Sequence, residues 1–332
     1  MRRQSAEKFL CLNCGGDFRI TSVTSEDAGS GEIAEGSLAC TGCPATVPIV
    51  RNIPRFVPSE SYASSFGFQW NHFDRIQIDK FMHNDLSRDR FNATTGWPPH
   101  LDGQRILEAG CGAGRFTQLA VETGAEVVSF DLSSAVDAAW RNNAGTSKLT
   151  AFQASIYEIP LRKGAFDKVF CMGVLQHCPD VAGAFRSLVP FLRPGGEIVI
   201  DVYEKSHGFP PLKYLARPFV KHLNTKNLYN LLRWTIPPAF EVKRVIHGIP
   251  MVGPRLGALI PIGPISHAPR LNYTDAELKQ VKILSALDML SPVYDQPQRM
   301  EDVQRWFEEA GLVEIQLKRG YNGINAKGKR PN

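Results

Sequence analysis

Three glycines at alternate positions, Gly110, Gly112 and Gly114, stand between the apolar run Ile106-Leu107 and a segment of helical spacing that begins at Phe116. A strand that turns sharply into a helix needs a residue without a Cβ at the bend, so the first glycine reads as the turn out of the strand. The other two read as places where backbone approaches a ligand closer than a side chain allows. Glu126-Val127-Val128-Ser129-Phe130-Asp131 follows as a second strand. Its last residue sets a carboxylate about twenty residues beyond the loop, where it can accept both hydroxyls of a ribose. A glycine loop by itself also serves as a ligand-free turn. The dinucleotide-binding pattern is G-x-G-x-x-G, whereas the spacing here is G-x-G-x-G with Glu108 two positions ahead.

The surrounding sequence keeps one rhythm. Residues 105–109, 126–131, 149–154, 166–172 and 196–203 read as strands, and residues 116–122, 133–143 and 181–192 as helices between them. Strands alternating with helices predict a parallel sheet covered on both faces, an α/β architecture. The rhythm breaks over residues 204–297, a basic, amphipathic stretch punctuated by prolines, among them Pro210, Pro211, Pro237, Pro238, Pro264 and Pro269. These residues read as short helices inserted as a cap over the acceptor side. A helix over 300–310, a strand over 312–317 and a weaker strand near 323–326 resume the pattern. The expected division is a small module over residues 1–57, an aromatic-rich linker with cap helices over 58–103, the main domain over 104–203 and 298–332, and the cap over 204–297.

Glu108-Ala109-Gly110-Cys111-Gly112-Ala113-Gly114 resembles the first motif of class I S-adenosylmethionine-dependent methyltransferases of the ubiquinone-biosynthesis (UbiE/UbiG-like) type. Four further landmarks come in the family's order: Asp131; Ala154-Ser155-Ile156-Tyr157; the segment Phe166 to Asp180; and Leu192-Arg193-Pro194-Gly195-Gly196. Together they span roughly residues 104–203. The resemblance implies a Rossmann-like seven-stranded sheet and a site for S-adenosyl-L-methionine. The residues it assigns to that site are Glu108, Gly110, Cys111, Gly112, Gly114, Asp131, Leu132, Ser155, Ile156 and Met172, with Trp70 of the linker over the sulfonium through cation–π attraction. Ser155 departs from the family, which usually places an acid there against the adenine amine.

Methyl transfer to a hydroxyl is helped by a base, and His177 falls just after the fourth strand, at the sheet edge where such ligands bind. It reads equally as a cap or a backbone-bonded side chain. Asp180 reads as the N-cap of the next helix. Cys171-Met172-Gly173-Val174 stands where enzymes acting on base amines carry an Asn/Asp-Pro-Pro-aromatic tetrad, and Cys171 and Cys178 lack the Pro-Cys setting of cytosine-carbon enzymes. Oxygen is the favoured acceptor atom. Tyr294-Asp295 is a further acceptor-side pair to locate.

Cys11-Leu12-Asn13-Cys14 and Cys40-Thr41-Gly42-Cys43 form a C-x₂-C…C-x₂-C pattern, which reads as a structural Zn2+ site with four thiolate ligands. The module is similar to zinc ribbons found ahead of other methyltransferase domains. The remaining cysteines sit in apolar segments, which points to a reducing compartment rather than a disulfide framework. No apolar run reaches bilayer-spanning length, no secretory leader is evident, and the expected location is cytoplasmic. The net charge of +5 permits contact with phosphates or an anionic surface without requiring it.

Three functions stay open. One is methyl transfer to a small-molecule acceptor, such as a specialised metabolite or a saccharide. Another is RNA methylation, with the ribbon and basic cap gripping phosphates. The last is a non-catalytic scaffold that keeps the cofactor fold. Peripheral membrane contact through the cap is compatible with each.

Overall fold

The computed structural model describes residues 1–58, 61–205, 217–263 and 273–332. Its centre is a seven-stranded sheet. Strands β5 (Arg105–Ala109), β6 (Glu126–Asp131), β7 (Leu149–Gln153), β8 (Phe166–Met172) and β9 (Leu192–Val202) run parallel. Strand β11 (Gly323–Lys329) lies antiparallel beside β9, and β10 (Val313–Gly320) closes that edge. The order is β10-β11-β9-β8-β5-β6-β7. The chain is thus parallel where strands and helices alternate, with one reversed strand from the terminal hairpin.

Neighbouring residues of one strand enter different cores, as the pleat dictates. Leu107, Val128, Val169 and Ile198 pack under α6 (Val181–Leu188) and α11 (Met300–Glu309). Ile106, Val127, Phe170 and Val199 pack under α3 (Leu86–Thr95) and α4 (Arg115–Glu122). All eight are at most 2% exposed, and each such side chain stabilises the fold by about 1.5–3 kcal/mol. Helix α5 (Ala135–Asn143) covers the β6–β7 end.

Ahead of this sheet, β1 (Phe18–Glu26), β2 (Ile33–Cys40), β3 (Thr46–Val50) and β4 (Ile53–Pro54) form a four-stranded antiparallel sheet. The β1–β2 turn closes on Asp27, whose carboxylate accepts from the Gly29 and Ser30 amides at 3.0 and 2.9 Å. The small sheet is not a separate body. Phe9 bridges to Leu161, Arg55 pairs with Gln153 of β7, and Phe9 meets Phe152 at 5.3 Å.

The cap departs from the expected run of short helices. Helix α7 (Arg217–Val220) and α9 (Gly253–Ala258) are short, but α8 (Thr225–His247) runs 23 residues and α10 (Asp275–Leu290) runs 16. Pro237 and Pro238 lie inside α8. They remove the amides that would bond the carbonyls four residues earlier, those of Arg233 and Trp234. Both residues are exposed, so water can satisfy those carbonyls and the helix continues. Its inner residues Leu228, Leu232 and Ile236 pack with Ile283, Leu284 and Leu287 of α10 and with Phe73. Phe73 directly follows α1 (Ser64–His72), and the four-residue α2 (Asp79–Met82) lies between α1 and α3. The stretch Lys213 to Ala216 and the prolines at 210, 211, 264 and 269 lie outside the described residues. No helix among the described residues is long and apolar enough to cross a membrane.

Candidate active site

The glycine loop leaves β5 and enters α4. Gly110, Gly112 and Gly114 all have positive φ, at 79°, 54° and 85°, a region that costs other residues strain. Their neighbours differ. A Cβ on Gly110 would lie 2.3 Å from Val174, and one on Gly114 would lie 2.8 Å from the Ala139 backbone in α5. A Cβ on Gly112 would meet only the Trp70 ring at 3.4 Å. The third glycine therefore makes room for a helix of the protein. This corrects the expectation that both later glycines make room for a ligand. The loop is tied down by the Phe130 carbonyl, which accepts from the Gly110 and Cys111 amides at 2.8 and 3.1 Å.

Asp131 ends β6 beside this loop. One carboxylate oxygen accepts from the Gly112 amide at 3.0 Å, and the other from the amide and hydroxyl of Ser133 at 2.8 and 2.7 Å. Burial pushes its carboxyl above the usual range, and these hydrogen bonds oppose that push.

A cavity of about 230 Å³ opens over the loop. Gly110, Cys111, Gly112, Asp131, Leu132, Ile156, Met172, Trp70 and His177 line it. Glu108, Gly114 and Ser155 are absent from that lining. Glu108 lies buried in β5, where its carboxyl accepts from Thr117 and Ser129; burial raises its pKa to about 7. The Ser155 hydroxyl accepts from the Tyr157 amide at 3.2 Å.

His177 sits in a one-turn 3-10 segment after β8, between Phe66 at 4.9 Å and Tyr203 at 5.6 Å. Its Nδ1 lies 3.0 Å from the Tyr294 carbonyl. A carbonyl only accepts, so Nδ1 carries the proton and Nε2 of the neutral ring is left as the acceptor. Tyr294 thus serves through its backbone. Asp180 caps α6, accepting from the Gly183 amide at 2.9 Å. Cys171 and Cys178 are buried small residues, and burial pushes the Cys178 thiol up to about 12.

Several lining residues carry no motif of their own. Arg90 and Arg115 reach the cavity together with Gln77 and Asn322. Arg90 is neutralised by Asp201, its Nε 3.0 Å from the carboxylate. Arg115 donates to Gln77, its Nε is buried without a partner, and among the described residues it pairs with no acid. Burial, reinforced by the charge of Arg90, holds its pKa down to about 9. Arg115 directly follows the loop and could have been singled out at the start of α4. Arg90 is brought in only by folding. From the cap, α10 supplies Asp288, which accepts from Gln69 at 2.8 Å and stands 3.4 Å from the Tyr203 hydroxyl.

The four cysteines of the small sheet converge, with sulfur atoms all within 4.8 Å of one another. Cys11–Cys43 and Cys14–Cys40 are 3.6 and 3.4 Å apart, too far for disulfides. Four thiolates around a tetrahedral zinc would stand about 3.8 Å apart, given Zn–S bonds of about 2.3 Å. A Cβ on Gly16 would come within 3.1 Å of the Cys40 sulfur. The Gly42 amide, 3.3 Å from the same sulfur, holds that thiol down to about 7.

Residues 107–200 match the family described as methyltransferase domain. Similar curated proteins include a malonyl-[acyl-carrier protein] O-methyltransferase of Enterobacter lignolyticus, 31% identical over 140 residues. That match takes in 42% of this chain and 52% of the relative, so the chain spans about half its length. A ubiquinone biosynthesis O-methyltransferase of Aromatoleum aromaticum is 27% identical over 179 residues, 52% of this chain and 74% of that one. Among solved structures, phosphoethanolamine N-methyltransferase 2 of Haemonchus contortus, in complex with S-adenosyl-L-methionine, aligns with a TM-score of 0.46. It is 14% identical, with 82% of this chain and 58% of that chain covered.

Proposed function

We propose that this chain, which carries a class I S-adenosylmethionine-dependent methyltransferase domain, methylates an oxygen of a small-molecule acceptor. One observation carries the reading. The same cavity is lined by the glycine loop with its acid and by a histidine whose Nδ1 is committed to a backbone carbonyl, which makes Nε2 the acceptor of the neutral ring. S-adenosylmethionine supplies, when bound, a methyl group made electrophilic by a sulfonium and a neutral leaving group.

The chain's own residues divide the remaining work. Asp131 would hold the ribose hydroxyls, and Arg115, the guanidinium without an acid, the donor's carboxylate. The apolar side chains of Leu132 and Ile156 would flank the adenine, since the Ser155 hydroxyl is already engaged. Tyr62, Phe66 and Trp70 form an aromatic wall that excludes water, and the Trp70 face suits a cation. At the other side, His177 Nε2 would take the acceptor's proton, while Asp288 and Tyr203 offer hydrogen bonds that orient the acceptor. Asp288 belongs to α10, which supports the cap as the acceptor side. Oxygen is favoured because both curated relatives are named O-methyltransferases and the base-amine tetrad is lacking after β8.

The four cysteines fit a zinc ion, and a site with four thiolates keeps no open position, so its role is structural. The reading is tested in two steps. Calorimetry should register binding of S-adenosylhomocysteine. With methyl-labelled donor and cell extract, label should enter the small-molecule fraction. Absence of binding overturns the donor site, and label confined to RNA overturns the acceptor class.

A further inference from the structure

Helix α8 is apolar on two sides. Leu228, Leu232 and Ile236 face inward. Leu231, Trp234, Val242 and Val245 recur at helical spacing on the side facing away, and all are exposed, Trp234 and Val245 at 73% each. A helix serving one core needs one apolar stripe, and a second stripe left bare marks a surface that something covers. The bare surface extends past both ends of α8, through Phe219 at 81% and Met251 at 93% exposure.

The charge around this stripe is mostly positive. Lys221, Lys226, Arg233 and Arg255 are exposed, and Arg244 is held by Glu241 and by Asp275 of α10. The sole acid between residues 217 and 263 is Glu241, which Arg244 and Lys279 hold in ion pairs. A lipid surface admits the apolar stripe and leaves the long cationic stems that flank it reaching back to anionic headgroups. A tryptophan on such a face suits the headgroup level.

We propose that the outer face of α7, α8 and α9 is a docking surface for an anionic lipid bilayer. The inner side of the same helix touches the cavity wall. Tyr229 packs on Phe68 and His72 of α1 at 5.8 and 4.4 Å, and α1 carries the Phe66 and Trp70 that line the cavity. Docking therefore places the lipid surface one helical layer from the candidate active site. The proposal is independent of methyl transfer.

The test is co-sedimentation of the full chain with vesicles of phosphatidylcholine alone and of phosphatidylcholine mixed with phosphatidylglycerol. The protein should sediment with the mixed vesicles, and salt should weaken that binding. Trp234→Glu with Val245→Glu should lower it about tenfold or more, with the circular dichroism spectrum unchanged because both positions are exposed. Lys226→Glu with Arg233→Glu should lower binding to the mixed vesicles and flatten its salt dependence. The proposal is overturned by failure to bind either vesicle, or by binding indifferent to the paired apolar substitutions. It is equally overturned if the wild type is a dimer that Val245→Glu makes monomeric while neither form binds vesicles, since the face then joins two copies of the chain.

Discussion

Two guanidiniums reach one end of the cavity, and their surroundings assign them different work. Arg90 has Asp201 to neutralise it, so it holds the wall together. Arg115 lies over the Phe116 ring and donates to the neutral Gln77, and among the described residues it pairs with no acid and its buried Nε is unbonded, which leaves a charge awaiting an anion. Arg115→Met should therefore weaken S-adenosylhomocysteine by about tenfold or more, while 5′-methylthioadenosine, which lacks the amino-acid part, keeps its affinity. Calorimetry with both ligands separates this from general damage, which would weaken both. His177→Ala should lower turnover by about 10²-fold with donor affinity unchanged, if its role is the proposed one on the acceptor side; a near-normal rate removes it as the base. Glu108 makes a prediction about stability. Its folded pKa of about 7 lies above the ordinary 4.5, so the stability it contributes is full below pH 4.5 and is lost as the pH rises through about 7. Glu108→Gln stays neutral. Relative to wild type it should gain about 3 kcal/mol between pH 4 and pH 8, measured by urea unfolding at both.

At the scale of elements, the glycine loop separates folding from binding. Gly114→Ala forces a Cβ onto the α5 backbone as well as into a strained φ, and should cost about 2–5 kcal/mol of stability. Gly112→Ala meets only Trp70 at contact distance and should cost about 1–2 kcal/mol, its larger effect falling on donor affinity. Denaturant unfolding set beside calorimetry reads the two effects apart. The sequence reading matched β5, β6 and β8 because strands buried on both faces read as short, largely apolar runs bounded by turn residues, even where Glu108, Ser129 or Asp167-Lys168 interrupts them. It divided α8 into short pieces because Pro237-Pro238 ends most helices, and the exposure of Arg233 and Trp234 that rescues this one is a tertiary fact. Arg90 was illegible for a related reason. Its partner Asp201 lies 111 residues away, and no local pattern announces the pair.

At the scale of the whole molecule, the ribbon and the large sheet share one core. Phe9 and Phe56 from the N-terminal segment meet Phe152 of β7 edge to face at 5.3 and 6.0 Å, and Phe152 stacks on Phe130 of β6 at 5.2 Å. A polar path runs beside them. Arg55 donates to Gln153 at 3.0 Å, and Gln153 donates to the carbonyl of Leu132, a lining residue of the cavity, at 2.8 Å. With zinc proposed at the four thiols, its removal should therefore loosen more than a small appendage. With a strong chelator, or with Cys14→Ser, calorimetric melting should keep a single transition, lowered by roughly 5 °C or more, and S-adenosylhomocysteine should bind more weakly. If the ribbon were an independent unit, chelation would instead split off a minor low-temperature transition, with the main one and the donor affinity unmoved. The shared aromatic core decides between these outcomes: Phe9 and Phe152 are both fully buried, so neither ring can lose its partner without opening apolar surface in the other layer.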